Sequence, residues 1–201
     1  AEYVAGAVDG EGVRSYLAGL GCKESKTETF IALRAHIDSW RWKGVPFYLR
    51  TGKRLPERYA EIIVQFDPVP HEVYDPIAGK LEPNRLVIKL QPEEGMQLQL
   101  MTKNLQKTET RLQSTSLNLN FADYGDRPTS DGYKRLLNDV MNGDPTLFAH
   151  RDEVDIAWSW VSPILEEWHR NDDALLTYRA GSWGPPESDS LLSDLGHSWI
   201  H

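Results

Sequence analysis

The stretch NRLVIKLQPEEGMQLQLMT, Asn84 to Thr102, sets the fold class. Leu86, Ile88 and Leu90 alternate with polar or small partners, and after four residues the rhythm resumes with Met96, Leu98 and Leu100. A period of two marks strands that present one face to a core, and PEEG, Pro92 to Gly95, is too short for anything but a turn. Parallel neighbours need a crossover of roughly a dozen residues or more, so the two strands pair antiparallel.

The same alternation recurs on both sides. TETFIALRAHID, Thr27 to Asp38, sets Thr29, Ile31, Leu33, Ala35 and Ile37 against Glu28, Arg34, His36 and Asp38. Further strands are predicted in Val45 to Leu49, in Ala60 to Phe66 and in Ser114 to Phe121. The period then changes. SDGYKRLLNDVMNG, Ser130 to Gly143, predicts a helix with Ser130 or Asp131 as its cap and Gly143 as its stop. A second helix starts near Asp152 with Val154, Ala157, Trp158, Val161, Leu165 and Trp168 on one stripe, and Pro163 should kink or break it. A short helix is expected in Gly12 to Leu20, and loop from Gly181 to Ser190. The resulting fold class is α+β: a large, mostly antiparallel sheet of at least six strands, with helices packed on one face.

With 201 residues, 30 acidic against 22 basic side chains and a net charge of −8, the chain is globular and lacks a general attraction for nucleic acid or anionic lipid. The lone cysteine, Cys22, excludes disulfide frameworks and multi-cysteine metal motifs and fits a reducing, cytoplasmic setting. No apolar run is long enough to span a bilayer. The chain lacks an initiator Met and opens within what reads as a structured segment, so it is expected to be a piece of a longer protein.

Chemistry-bearing motifs are sparse. The histidines, His36, His71, His150, His169, His197 and His201, form no HExxH, and only His197 and His201 share a four-residue spacing, at the extreme C-terminus. Nucleophile elbow, GxGxxG and Walker A are all missing. The acids of HRDEVD, His150 to Asp155, suit the positive end of a helix dipole better than acid–base work. Most of the seven tryptophans are expected in the core, with Trp40 and Trp42 sharing one side of a strand.

One local anomaly remains. VPFYLRTGKRLPER, Val45 to Arg58, gathers Arg50, Lys53, Arg54 and Arg58 into nine residues of an acidic chain. A strand ends in a turn at Gly52, which is expected to adopt a conformation that other residues resist, and Pro56 stiffens the path onward. Cations fixed at a strand end suit a phosphate, while a solvated basic loop accounts for the same residues.

TETFIALRAHIDSWRWKGVPFYLRTGKRLPERYAEIIVQF resembles the C-terminal domain of the glucose-6-phosphate dehydrogenase family. The similarity continues through NRLVIKLQPEEG, DGYKRLLNDVMNGDPTLFAHRDEVDIAWSWVSPIL and YRAGSWGP, and includes YVAGAVDGEGVRSY near the start. It implies that residues 1–201 are the substrate and dimerisation domain of an oxidoreductase. That enzyme oxidises glucose 6-phosphate at C1 to 6-phosphogluconolactone with NADP, in the pentose phosphate pathway. The dinucleotide-binding domain and the catalytic histidine precede this sequence in the family, so no catalytic residue is assigned here and the domain alone should be inactive. The resemblance implies that Lys53 and Arg58 contact the sugar phosphate, with Tyr133 a further candidate. Arg50 and Arg54 are left to packing or to long-range attraction of anionic ligands.

Some family members hold a second, structural NADP. The matching positions here are Tyr59, Ile63, Gln97 and Gln99, with Lys89 as the obvious cation, and this departure argues against such a site. The family's sheet also implies a homo-oligomer, dimer or tetramer. Two other readings stay open: a non-catalytic, sheet-mediated dimerisation module with an anion-binding loop, and an aromatic-rich carbohydrate-binding module.

Overall fold

The computed structural model describes residues 1–69, 81–104, 111–121, 132–171 and 175–200. The first elements are β1 (Glu2–Val4), β2 (Gly6–Val8), β3 (Glu11–Val13), α1 (Tyr16–Leu20), β4 (Phe30–His36) and β5 (Pro46–Gly52). There follow β6 (Ala60–Gln65), β7 (Arg85–Gln91), β8 (Gly95–Lys103), β9 (Leu112–Asn120), α2 (Gly132–Asn142) and α3 (Arg151–Arg170). Last come β10 (Thr177–Arg179), a 3-10 turn over Pro186–Asp189 and α4 (Ser190–Ser193). The chain divides into two units, one of Ala1–Glu57 with Ala149–His201 and one of Arg58–Phe148.

In the second unit β6, β7, β8 and β9 form an antiparallel meander in that order. The hairpin of Asn84 to Thr102 is its centre, with Leu86 opposite Leu98 and Ile88 opposite Met96. Directly paired residues share a face, so Ile62 and Val64 on one side, and Leu119 and Leu117 on the other, extend those two rows across all four strands. The reverse face carries the apolar pair Ile63 and Val87, the latter buried, among Glu61, Lys89, Gln97, Asn118, Arg85, Gln99 and Ser116. The apolar rows are open to solvent, Leu117 at 60% and Ile62 at 50% exposure. No residue of α2 or α3 is buried.

The α+β class is as expected, but the six predicted strands pair as four and two. β4 and β5 make their own antiparallel pair in the first unit. The chain leaves β5 through Arg54 at a φ of 55° and then Pro56, which has no N–H to give, so the extended run stops before a further strand can join it. The helix expected from Gly12 begins only at Tyr16, where Ser15 Oγ accepts from the Ala18 N–H at 3.3 Å. Gly12 and Val13 belong instead to a hairpin with β2, turned by Asp9 and Gly10 at φ values of 53° and 80°. An Asp-Gly pair between short extended runs is the signal for that turn.

α3 runs unbroken through Pro163. Its ends are well satisfied: the His150 N–H donates to Glu153 Oε2 at 2.9 Å, Asp152 and Glu153 occupy the first turn, and His169 and Arg170 the last. Trp158 is 60% exposed rather than in a core. Trp40 and Trp42 lie in the turn between β4 and β5, where Trp42 packs edge-on against Phe47 at 5.3 Å. The Ser130 and Asp131 caps expected for α2 lie outside the described residues, while Gly143 follows its end and donates to the Val140 carbonyl at 3.1 Å.

The first unit is built around Phe30 and Tyr178, each 3% exposed, with Ala180 and Leu192 also buried. β1 and β10 run parallel, pairing Tyr3 with Tyr178, whose ring lies 5.3 Å from that of Phe30. Along β4, Ile31, Leu33 and Ala35 are half-buried and Arg34 and His36 exposed, as the alternation predicts. Its start is buried on both sides, at Thr29 just before it and at Phe30, which pairs with Gly52. Two glycines admit the ring. A Cβ on Gly52 would stand 2.9 Å from Phe30 Cδ2, and one on Gly184 would stand 2.4 Å from Phe30 Cε2. Gly184 also has a φ of 113°, which side chains resist.

Gly184→Ala combines backbone strain with overpacking and should lower stability by about 2–4 kcal/mol in denaturant unfolding, whereas Gly12→Ala, facing open space, should stay within about 0.5 kcal/mol of the parent. Burial pushes the Tyr178 phenol above its ordinary value of 10.0. A group whose folded pKa is raised contributes stability that is whole below the unfolded pKa and is lost as pH rises through the folded one. The stability difference between parent and Tyr178→Phe should hence be constant up to about pH 10 and shrink above it.

Candidate functional site

The basic turn is fastened from beneath. The Lys53 N–H donates to the Thr29 carbonyl at 2.8 Å, one residue beyond the last β4–β5 pair. The Lys53 carbonyl accepts from the Tyr178 hydroxyl at 2.6 Å. The Arg54 carbonyl accepts from the Gly181 N–H at 2.8 Å, in the AGSWGP turn that also brings Gly184 against Phe30. Arg54, not Gly52, takes the left-handed conformation, and Gly52 is needed for its close approach to Phe30 and to Leu55.

With both peptides tied down, the Lys53 and Arg54 side chains are exposed, and neither cationic head has a hydrogen bond or ion pair with a described residue. Arg50 is different. Its guanidinium carbon lies 4.5 Å from the Trp199 ring centre and 5.0 Å from that of Trp183, a cation held between two indoles. Tyr48 packs edge-on against Trp199 at 6.2 Å, and its hydroxyl meets His197 Nδ1 at 3.0 Å. Of the two readings left open for Arg50, packing is the one its surroundings match.

Arg58 opens the second unit, exposed, and Tyr133 lies in the first turn of α2, 77% exposed. Lys53 belongs to the first unit. The histidines serve local structure: His150 caps α3, and His169 Nδ1 lies 2.7 Å from the Leu165 carbonyl. His36 is exposed; His71 and His201 lie outside the described residues. Among the described residues no three His, Cys, Asp or Glu side chains group as a metal site, and no helix is long and apolar enough to cross a membrane.

Of the positions matching the family's second NADP site, Ile63, Gln97, Gln99 and Lys89 lie on the reverse face of the β6–β9 sheet. Ile63 pairs with Val87, and Val87 with Gln97; Gln99 pairs with Arg85, whose Nε donates to Gln65 Oε1 at 3.2 Å. Lys89 stands opposite Glu61. An apolar row, two amides and cations already facing neutral or acidic partners do not suit the phosphates of a dinucleotide.

Sequence reasoning missed Tyr178, Thr29, Trp183 and Trp199 as supports of the basic turn. The signal for Tyr178 and Trp183 lies in YRAGSWGP, where an aromatic strand residue precedes a turn rich in glycine; Thr29 and Trp199 lie outside that motif.

The family model for the glucose-6-phosphate dehydrogenase C-terminal domain matches residues 1–200. The glucose-6-phosphate 1-dehydrogenase of Mycolicibacterium smegmatis is 47% identical over 198 residues, covering 98% of this chain and 40% of that protein. That of Rhizobium meliloti is 44% identical with the same coverage. Among solved structures, a glucose-6-phosphate dehydrogenase in complex with glucose 6-phosphate superposes with a TM-score of 0.83 at 30% identity, over 100% of this chain and 40% of that one. The Mycobacterium avium enzyme gives 0.75 at 34% identity, over 98% and 40%. The chain thus spans about 40% of the length of these relatives. With a match that runs from the first strand to the last turn, the chain belongs to the glucose-6-phosphate dehydrogenase C-terminal domain family.

Proposed function

We propose that residues 1–201 serve as the substrate-binding and dimerisation domain of a cytoplasmic NADP-dependent dehydrogenase that oxidises glucose 6-phosphate at C1 to 6-phosphogluconolactone. Family membership over residues 1–200 carries this reading. The basic turn supports it locally, since an ammonium with no partner among the described residues, on a backbone tied at two successive peptides, is prepared for an anion. Lys53 and Arg58 bind the phosphate of the sugar. Fixing that end of the substrate supplies orientation and charge compensation, and Lys53 and Arg58 move no proton. The oxidation transfers a hydride from C1 to the nicotinamide. The proton of the C1 hydroxyl goes to a base outside this domain, and the histidines of α3 are engaged in capping and backbone contacts.

The apolar face of the β6–β9 sheet is the proposed contact with a second copy of the chain. Two rows of aliphatic side chains, four strands wide, are open to solvent, and a self-complementary patch of this kind suits a two-fold interface.

In the full-length protein, Lys53→Ala should raise KM for glucose 6-phosphate more than about tenfold while the KM for NADP stays within about twofold, measured by steady-state kinetics. Neutral glucose as substrate should be insensitive to the same change. Leu117→Glu places a charge in the proposed contact and should shift the protein toward monomer in sedimentation velocity; an unaltered oligomer would remove this face from the interface.

A further inference from the structure

The Tyr178 hydroxyl lies within hydrogen-bonding distance of three oxygens and has one proton to give. Lys53 O is at 2.6 Å, Thr29 O at 3.1 Å and Thr29 Oγ1 at 3.3 Å. The shortest contact takes the proton. Thr29 Oγ1 already accepts from the Tyr3 N–H at 3.0 Å, which leaves its own proton for a lone pair of the Tyr178 oxygen. The contacts then order into one chain of donors: Tyr3 N–H, Thr29 hydroxyl, Tyr178 hydroxyl, Lys53 carbonyl. Each hydroxyl accepts from one side and donates to the other, and such chains strengthen one another away from water. Thr29 and Tyr178 are both buried, so solvent does not compete. Thr29 acts twice, because its carbonyl also accepts the Lys53 N–H at 2.8 Å. Both sides of the Lys53 residue are held by one buried pair.

We infer that Tyr178 and Thr29 are positioning residues for the sugar phosphate, acting through the backbone of Lys53. The inference rests on the reading of Lys53 as a phosphate contact. A purely structural pair would alter unfolding without a selective change in one KM. A positioning pair loosens the turn that presents the ammonium, so the KM of the phosphorylated sugar moves while the site of hydride transfer is untouched.

The test is steady-state kinetics of the full-length protein with glucose 6-phosphate and NADP. Tyr178→Phe should raise KM for glucose 6-phosphate roughly five- to tenfold, with kcat and the KM for NADP within about twofold. Thr29→Val should raise it about two- to fourfold, and Thr29→Ser, which keeps the hydroxyl, should restore the parent value. Added to Lys53→Ala, Tyr178→Phe should raise KM no further, since both remove the same contact. If Lys53→Ala raises KM but Tyr178→Phe and Thr29→Val do not, or if the double variant is additive, the inference is overturned and the phosphate-contact reading survives. An unchanged KM in Lys53→Ala overturns both. Should Tyr178→Phe fail to fold, the Thr29→Val and Thr29→Ser pair decides alone.

Discussion

The first unit depends on the packing of the Phe30 ring against Tyr178 and two glycines. Without room at Gly52 and Gly184 the ring would not reach its place, and the aromatic pair would separate. Because Phe30 pairs with Gly52, the same contact sets the register of β4 and β5. The end of β5, and with it the position of Lys53, follows from that register. A hydrophobic contact thus determines where a charged side chain emerges, and the polar contacts around Tyr178 refine it.

Much of this is legible in the sequence. The meander of β6 to β9 follows from strict alternation in NRLVIKLQPEEGMQLQLMT, because a period of two leaves few other options for a chain with so short a turn. The burial of Phe30 is not legible. Ile31, Leu33 and Ala35 form the half-buried row that alternation predicts, whereas Phe30 falls on the side of the exposed Arg34 and His36 and is buried by packing against Tyr178, far away in sequence. Likewise Trp158 has the spacing of a core residue and is exposed, since periodicity reports an apolar stripe and does not reveal what covers it.

The basic turn divides along the same line. That Lys53 stands at a strand end was readable from TGK after an apolar run. That Arg50 is held between Trp183 and Trp199 was not, for those indoles lie more than a hundred residues further along. Four cations that look alike in VPFYLRTGKRLPER therefore sort by their surroundings: Arg50 is stacked, Lys53 and Arg54 are solvated on a fixed backbone, and Arg58 begins a separate unit.

The two carbonyls that accept from Tyr178 and Gly181 also orient the peptide dipoles of the turn. Their negative ends face the interior, toward a phenol and an amide. An approaching anion therefore meets side-chain positive charge without the lone pairs of these two oxygens in front of it, so the local potential at the tip is set by Lys53 and Arg54. An acidic protein can in this way keep a small electropositive window open by turning its own backbone oxygens inward.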